Sequence, residues 1–124
     1  MKANLKNYRQ SPRKVRLVAN LVRGKGVNRA LAELRFTPKR ASAVLGKLIS
    51  SDVANAKNKD RKESDTLYIK NIEVNEGRTL HRSMPMSKGR AFRIRKRSSH
   101  ISLSLAEKVK GKEKGEGGKA TTKK

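Results

Sequence analysis

Residues 77–97 read GRTLHRSMPMSKGRAFRIRKR, and the rest of the chain is organised around this stretch. From Arg78 onward it holds eight Arg or Lys residues and no acid. Strand-like sequence flanks it over 67–76 and 100–105, and its centre contains the Pro and Gly that favour a chain reversal. The pattern predicts a β-hairpin over 77–97, with arms of about ten residues that would reach about 30 Å. Its predicted tip consists of Met84, Pro85, Met86, Ser87, Lys88 and Gly89.

A basic ribbon of this kind needs an anionic environment. An isolated two-stranded ribbon is marginal in water, and like charges at this density repel each other unless something anionic surrounds them. The same residues could instead form a disordered basic loop. Both alternatives predict a polyanionic partner.

The whole chain shares this excess of positive charge. Its 124 residues include 33 Lys or Arg against 10 Asp or Glu, which gives a formal net charge of +23. Such a balance is the electrostatic footprint of a nucleic-acid binder. A membrane-surface protein would carry an amphipathic helix with bulky apolar anchors, and no apolar run approaches the ~18 residues of a membrane span. We therefore expect no membrane partner, and the absence of cysteine and of a secretory signal favours a cytoplasmic location.

Outside the hairpin, the chain predicts a small α+β domain. The predicted elements are a strand over 3–8, a helix over 13–23, a short helix over 27–34, a long helix opened by Thr37 and Pro38, and strands over 67–76 and 100–105. We expect three helices packed on a small two- or three-stranded antiparallel sheet, with the long hairpin protruding from it. The predicted organisation is a single domain over 1–105, which includes the hairpin over 77–97, followed by a disordered basic tail over 106–124.

Several local patterns make this outline more specific. Ser11 and Pro12 are a typical start for the first helix. An apolar stripe along the long helix predicts its core face, with members Ala41, Val44, Leu45, Leu48, Ile49, Val53 and Ala56. Phe36 is expected in the core. The apolar parity changes between Ile69 and Ile72, which predicts a β-bulge near Lys70 and Asn71.

Catalytic chemistry has no sequence support here. The few acids are scattered, and His81 and His100 have no metal-ligand spacing. We therefore predict no enzyme, no cofactor and no metal. The basic residues of the first helix have no acids to pair with, which favours phosphate contacts over a merely solvated face.

Two classes of nucleic-acid binder fit these features. One is a structural RNA-binding protein inside a large ribonucleoprotein; the other is an architectural DNA protein that lays a basic ribbon along a groove. A third alternative, a basic partner for an acidic protein, predicts one charged patch. Basic residues cover the helices as well as the hairpin, so a polyanion would contact several sides of the domain. That distribution favours burial within folded RNA.

Four stretches, in this order along the chain, resemble a family of bacterial ribosomal proteins, number twenty-two of the large-subunit series. They are SPRKVRLV with RGK at 11–18 and 23–25, FTPKRA at 36–41, SDVANA at 51–56, and residues 77–101. The resemblance covers about Ala3 to Leu105. Departures from the family pattern occur at Arg78, at His81 and at Met86 with Ser87.

This resemblance implies an α+β domain on the large ribosomal subunit, bound to ribosomal RNA, whose hairpin lines the polypeptide exit tunnel. The implied partners are large-subunit ribosomal RNA, neighbouring ribosomal proteins and the nascent polypeptide, with no homo-oligomer, and the implied location is ribosome-bound in the cytoplasm. It also implies that Arg82, Met84, Lys88, Arg90 and Arg93 lie on or near the tunnel segment. The residues that we predict to bind RNA are Arg13, Lys14, Arg16, Arg23, Lys25, Lys39, Arg40, Arg78, Arg82, Lys88, Arg90, Arg93, Arg95, Lys96 and Arg97.

Overall fold

Within the residues that the structure describes, the strands form two separate sheets. The computed structural model describes residues 1–61 and 64–108. In order, the helices and strands are β1 (Lys2–Tyr8), α1 (Pro12–Val22), α2 (Val27–Phe36), α3 (Arg40–Asp60), β2 (Leu67–Glu76), β3 (Leu80–Pro85), β4 (Ala91–Lys96) and β5 (Ser99–Glu107). One antiparallel sheet has the strand order β1-β5-β2, and β3 pairs with β4 as a hairpin. The predicted α+β class and the protruding hairpin are confirmed.

The three-stranded sheet buries one face because of a bulge in β2. Along the central strand β5, Ile101, Leu103 and Leu105 alternate with half-exposed residues. In β2, Ile69 lies opposite Leu105 and Ile72 lies opposite Leu103, with a register shift between Ile69 and Asn71. The extra residue turns the second half of β2 over, so that its apolar side chains stay on the buried face. This confirms the predicted bulge.

The helices cover this face with small aliphatic side chains. The buried residues of α1 and α2 include Val15, Val18, Ala19, Val22, Val27, Ala30 and Leu34. On α3 the buried residues are Ala41, Ser42, Leu45, Leu48, Ile49, Asp52 and Ala56. Each fully buried Leu or Ile contributes about 1.5–3 kcal/mol relative to exposure. The base of the protein is therefore a small aliphatic core that holds the hairpin.

Phe36 was predicted in the core, and that prediction is wrong. It is the last residue of α2 and is 87% exposed. At 100° per residue, Phe36 lies half a turn away from Val27, the first residue of the buried face. Thr37 also differs from the expected cap of α3: its hydroxyl donates to the carbonyl of Glu33 and so ends α2, while α3 begins at Arg40.

Asp52 lies on the buried face of α3 beside Val53, which the sequence pattern placed there and which packs partly buried against the core. Its side chain is wholly buried, and neither carboxylate oxygen has a well-formed hydrogen bond among the residues that the structure describes, although the backbone N–H of Leu105 interacts with the carboxylate. Burial raises the pKa of Asp52, and the positive amino terminus of the chain and the backbone N–H of Leu105 only partly offset this effect. The core therefore contains one carboxyl group whose charge opposes folding.

Strand β5 extends two residues past position 105, where the predicted domain ends. Ala106 and Glu107, the first two residues of the predicted tail, belong to β5. Lys108 follows β5, and its N–H donates to the carbonyl of Thr66 at 2.7 Å. Residues 109–124 of the predicted disordered tail lie outside the described residues.

Candidate nucleic-acid interface

The hairpin is a short ribbon with a tight tip. Its paired registers run from Leu80 opposite Lys96 to Pro85 opposite Ala91, so each arm has six paired residues and not the expected ten. The N–H of Met86 donates to the carbonyl of Arg90 at 2.8 Å and closes the loop. Lys88 and Gly89 have φ values of 60° and 70°, which reverse the chain. The reversal lies at the predicted tip.

The root of the hairpin depends on a close approach at Gly77. Its N–H donates to the carbonyl of Ser98 at 2.9 Å, and the Ser98 hydroxyl donates to the carbonyl of Arg78 at 2.7 Å. A Cβ at Gly77 would lie 2.6 Å from Ser98 Oγ and 3.1 Å from His100 Nε2. The backbone segments at Gly77 and at Ser98 therefore approach each other so closely at the root that no side chain fits at position 77. This close approach fixes where the ribbon leaves the base.

A basic cleft of about 910 Å³ lies between this root, the β1–α1 loop and the start of α3. Seven of the predicted RNA-binding residues line it: Lys14, Arg40, Arg78, Arg82, Arg95, Lys96 and Arg97. Polar side chains with no charge, including Asn7, Gln10 and Ser11, complete much of the wall. We refer to this feature as the basic cleft.

Arg9 is an eighth cation of the basic cleft and is not among the predicted RNA-binding residues. It stands alone after β1, without the periodicity or the clustering that marked the other candidates. A left-handed residue near the end of β1, Asn7 at φ 56°, and the path of the loop that follows bring it to the hairpin root. In the sequence, the only indication of this role is that Arg9 is a basic residue shortly before Ser11.

The electrostatics of the cleft favour anions strongly. No acidic residue lies between Glu76 and Glu107 in the sequence, and the described lining of the cleft contains no Asp or Glu. Clefts lined by charges of one sign focus the field and concentrate counter-ions of the opposite sign. Arginine forks suit phosphate oxygens in particular, because they can donate two parallel N–H bonds. The arrangement is suited to holding phosphates.

Two of the predicted RNA-binding residues, Arg16 of α1 and Arg23 directly after α1, have a structural task. Arg16 donates through Nε and Nη2 to the carbonyl of Val74, at 3.1 and 2.9 Å, and Arg23 donates through Nη2 to the carbonyl of Ile72 at 2.9 Å. These carbonyls belong to β2, an edge strand of the sheet, whose unpaired groups need partners. Both arginines therefore attach α1 to the sheet; whether they also contact RNA stays a prediction.

Lys25 is also engaged within the protein. Its Nζ lies 2.6 Å from Glu33 Oε2, and Arg29 Nε lies 3.3 Å from Glu33 Oε1. The hydrogen bond from Lys25 lowers the pKa of Glu33, with a further contribution from Arg29. This pairing reduces the charge that Lys25 can offer to a phosphate.

The remaining candidates are exposed and do not line the cleft. Arg13 and Lys39 lie at the starts of α1 and α3, Lys88 and Arg90 lie at the hairpin tip, and Arg93 lies on β4. The structure thus brings about half of the predicted set together in one cleft. The other predicted residues are distributed over the helices and the hairpin and do not line this cleft.

The histidines do not form a site. His100 is a β5 residue whose Nδ1 accepts the N–H of Asn7 at 3.0 Å, while His81 is exposed on β3. In the part of the chain that is described, no group of three His, Cys, Asp or Glu side chains could hold a metal ion. Within residues 1–61 and 64–108, no helix has both the length and the apolar composition to cross a membrane.

Comparison with known proteins gives a consistent result. The family model for "Ribosomal protein L22p/L17e" matches residues 3–106. The large ribosomal subunit protein uL22 of Clostridium kluyveri is 53% identical over 107 residues, which cover 86% of this chain and 96% of that protein. The corresponding protein of Pelotomaculum thermopropionicum is 50% identical over 110 residues, covering 89% and 97%. The chain therefore belongs to the ribosomal protein L22p/L17e family and is a structural component of the large ribosomal subunit, not an enzyme.

Proposed function

We propose that this chain binds large-subunit ribosomal RNA through the basic cleft and the cations of the hairpin. The observation that carries the proposal is the continuity of positive charge without acids from the cleft onto the ribbon. Phosphates held there would neutralise charges that otherwise repel one another, and the release of condensed counter-ions would favour binding. The helices and the three-stranded sheet hold these cations at one end of the domain.

The hairpin would act as an arm that depends on RNA for its environment. Residues 80–93 are all exposed, so the ribbon packs little against the described base. RNA on its surface would replace the missing protein contacts. The arm would then bind ribosomal RNA along its length in the cytoplasmic ribosome, beside neighbouring ribosomal proteins.

We further propose that the hairpin tip lines the polypeptide exit tunnel. This finer role rests on the family resemblance, together with the exposure of Met84 and Met86 at the far end of the ribbon. The tip would narrow the passage for the nascent polypeptide. No second copy of the chain is needed for this role.

Salt-dependent binding to large-subunit ribosomal RNA tests the RNA interface. Replacing Arg78, Arg95 and Arg97 by alanine should lower the affinity and flatten the dependence of log K on log salt by about two units, since each phosphate contact contributes roughly 0.7–0.9. The matched control replaces three exposed lysines of α3, Lys47, Lys57 and Lys59, which changes the charge equally. Equal losses in both variants would show a diffuse charge effect and contradict a defined cleft. Tighter binding to duplex DNA than to this RNA would favour the architectural DNA protein instead.

A photo-crosslinking experiment tests the tunnel role separately. A crosslinking amino acid at Met86 should capture nascent chains in translating ribosomes, whereas the same amino acid at the exposed helix residue Leu17 should not. Deletion of 84–88 should leave the base folded and able to assemble, because the core contains no residue of the tip. Capture at both positions or at neither would refute the tunnel placement while leaving RNA binding intact.

A further inference from the structure

The hairpin has two faces of different chemistry. Directly opposed residues of an antiparallel pair lie on the same face, and successive residues alternate between faces. The pairs Leu80–Lys96, Arg82–Ile94 and Met84–Phe92 therefore share one face, which we call the apolar face. The pairs His81–Arg95, Ser83–Arg93 and Pro85–Ala91 share the other.

Phe92 and Met84 form an exposed pair near the tip of the apolar face. Phe92 is 57% exposed and Met84 is 48% exposed, and their registers are directly opposite. Opposed Cβ atoms in such a pair lie about 4.5–5.5 Å apart, so the ring and the thioether form one small platform. The described chain leaves this platform uncovered.

The platform is continuous with the basic cleft. Leu80, Arg82 and Lys96 belong to the apolar face and also line the cleft. Phe92 lies four residues along β4 from Lys96, which corresponds to about 13 Å. A ligand that occupies the cleft can therefore extend directly onto the platform.

We propose that Phe92, supported by Met84, stacks against an unpaired nucleobase of RNA whose phosphates occupy the basic cleft. This inference rests on the proposed RNA-binding function. Unpaired bases in RNA commonly stack on aromatic side chains while cations hold the adjoining backbone. The occupant must offer a flat apolar surface and negative charge together, because Arg82 flanks the platform and no acid occurs between Glu76 and Glu107.

Charge complementarity favours a nucleotide over an apolar protein surface. A protein partner would have to cover Arg82 and Lys96 on the same narrow face with acids placed between apolar groups. A nucleotide supplies both requirements within one unit, since its base is planar and its phosphate is anionic. An apolar face of two arms with six paired residues each is also wide enough for only a few side chains.

Fluorescence provides a direct test because the chain contains no tryptophan. The Phe92→Trp variant carries a single reporter on the platform, and the matched Ser83→Trp variant carries one on the opposite face. Titration with oligoadenylate should quench emission of the Phe92→Trp variant strongly and that of the Ser83→Trp variant weakly. Inorganic polyphosphate, which supplies charge without bases, should quench neither strongly. Equal responses to the two polyanions, or equal responses of the two variants, would overturn the stacking inference.

Affinity for large-subunit ribosomal RNA gives the second readout. Phe92→Ala should weaken binding about 5- to 150-fold, the range expected for the loss of one stacked base, and should leave the salt slope unchanged. Phe92→Tyr should retain the affinity, and Phe36→Ala, which truncates the exposed phenylalanine of α2, should also have no effect. If wild-type protein binds the RNA and Phe92→Ala binds equally well, the stacking inference is wrong and the proposed function survives. If wild-type protein does not bind the RNA, the stacking inference and the proposed RNA-binding function are both wrong.

Discussion

Substitution of Gly77 by alanine tests the geometry of the hairpin root. The added Cβ would lie 2.6 Å from Ser98 Oγ, so the two atoms must separate by about 0.8 Å to reach the 3.4 Å of an ordinary contact. Ser98 is buried and its hydroxyl donates to the carbonyl of Arg78 at 2.7 Å, so any rotation that relieves the clash breaks this bond. His100 crowds the same position at 3.1 Å and limits movement in the other direction.

The expected cost combines three terms. Loss of the Ser98 hydrogen bond costs about 1 kcal/mol, and crowding in a packed site adds about 1–3 kcal/mol. Alanine also reduces the conformational entropy of the unfolded chain, which offsets about 0.4–1 kcal/mol of this loss in the free energy of unfolding. We therefore expect Gly77→Ala to lower the free energy of unfolding by about 1–3.5 kcal/mol, which corresponds to a fall in Tm of roughly 4–28 °C for a domain of this size.

Urea unfolding followed by circular dichroism measures this effect, and a double-mutant cycle isolates its cause. Ser98→Ala alone should cost about 1 kcal/mol because it removes the hydrogen bond to Arg78. In the Gly77→Ala background the same change should cost nothing or stabilise, since it removes the atom nearest to the new Cβ. Two costs that simply add, within about 0.5 kcal/mol, would refute the contact between Gly77 and Ser98 as the reason for glycine.

Three further changes test the base of the domain. Burial raises the pKa of Asp52 above the ordinary value of 3.8 for an aspartate. The stability that the protonated carboxyl group provides is therefore present below pH 3.8 and is lost as the pH rises through the folded-state pKa. Asp52→Asn should accordingly unfold at a higher urea concentration than wild type at pH 7, and this difference should shrink at pH 3. Arg61→Gly should raise the free energy of unfolding by about 0.5–1 kcal/mol in the same assay, because Arg61 ends α3 in a left-handed conformation at φ 50°; a lower stability would contradict this. Arg16→Met should cost about 1–2 kcal/mol, since it leaves the carbonyl of Val74 without its charged donor, whereas Arg13→Met on the same helix should be near neutral, and equal effects would show that the bond contributes nothing.

The sequence predicted those parts of the structure that depend on local patterns. The shift of apolar parity between Ile69 and Ile72 predicted the bulge, because only an extra residue keeps both on one face. The Pro and Gly between two basic strands predicted the hairpin and its tip. These features are encoded within a few neighbouring residues, so they could be read without knowing the tertiary fold.

The wrong or missing predictions concern positions that depend on distant contacts. Phe36 is apolar, but its helical phase turns it away from the core, and only the length of α2 decides that phase. Asp52 occupies a buried position that its polarity argued against. Arg16 and Arg23 looked like free cations because backbone carbonyls, which have no sequence signature, are their partners.

The same limit applies to the candidate interface. The hairpin cations could be predicted from their clustering, whereas Arg9 reaches the cleft only through the path of the loop after β1. The two faces of the ribbon follow from the pairing register, which the sequence alone did not provide. A change of register by one residue would place Phe92 opposite a different residue and remove the platform that it forms with Met84.

Sedimentation of a cell lysate through a density gradient, with and without a high-salt wash, tests the central claim most directly. A structural protein held by RNA on several sides should migrate with large ribosomal subunits and remain there after the wash, because a surface-bound basic protein is released when counter-ions compete. Wild-type protein should therefore resist the wash, and the variant with alanine at Arg78, Arg95 and Arg97 should be released at lower salt. Release of wild-type protein at moderate salt, or migration with DNA or at the top of the gradient, would contradict the proposed RNA interface.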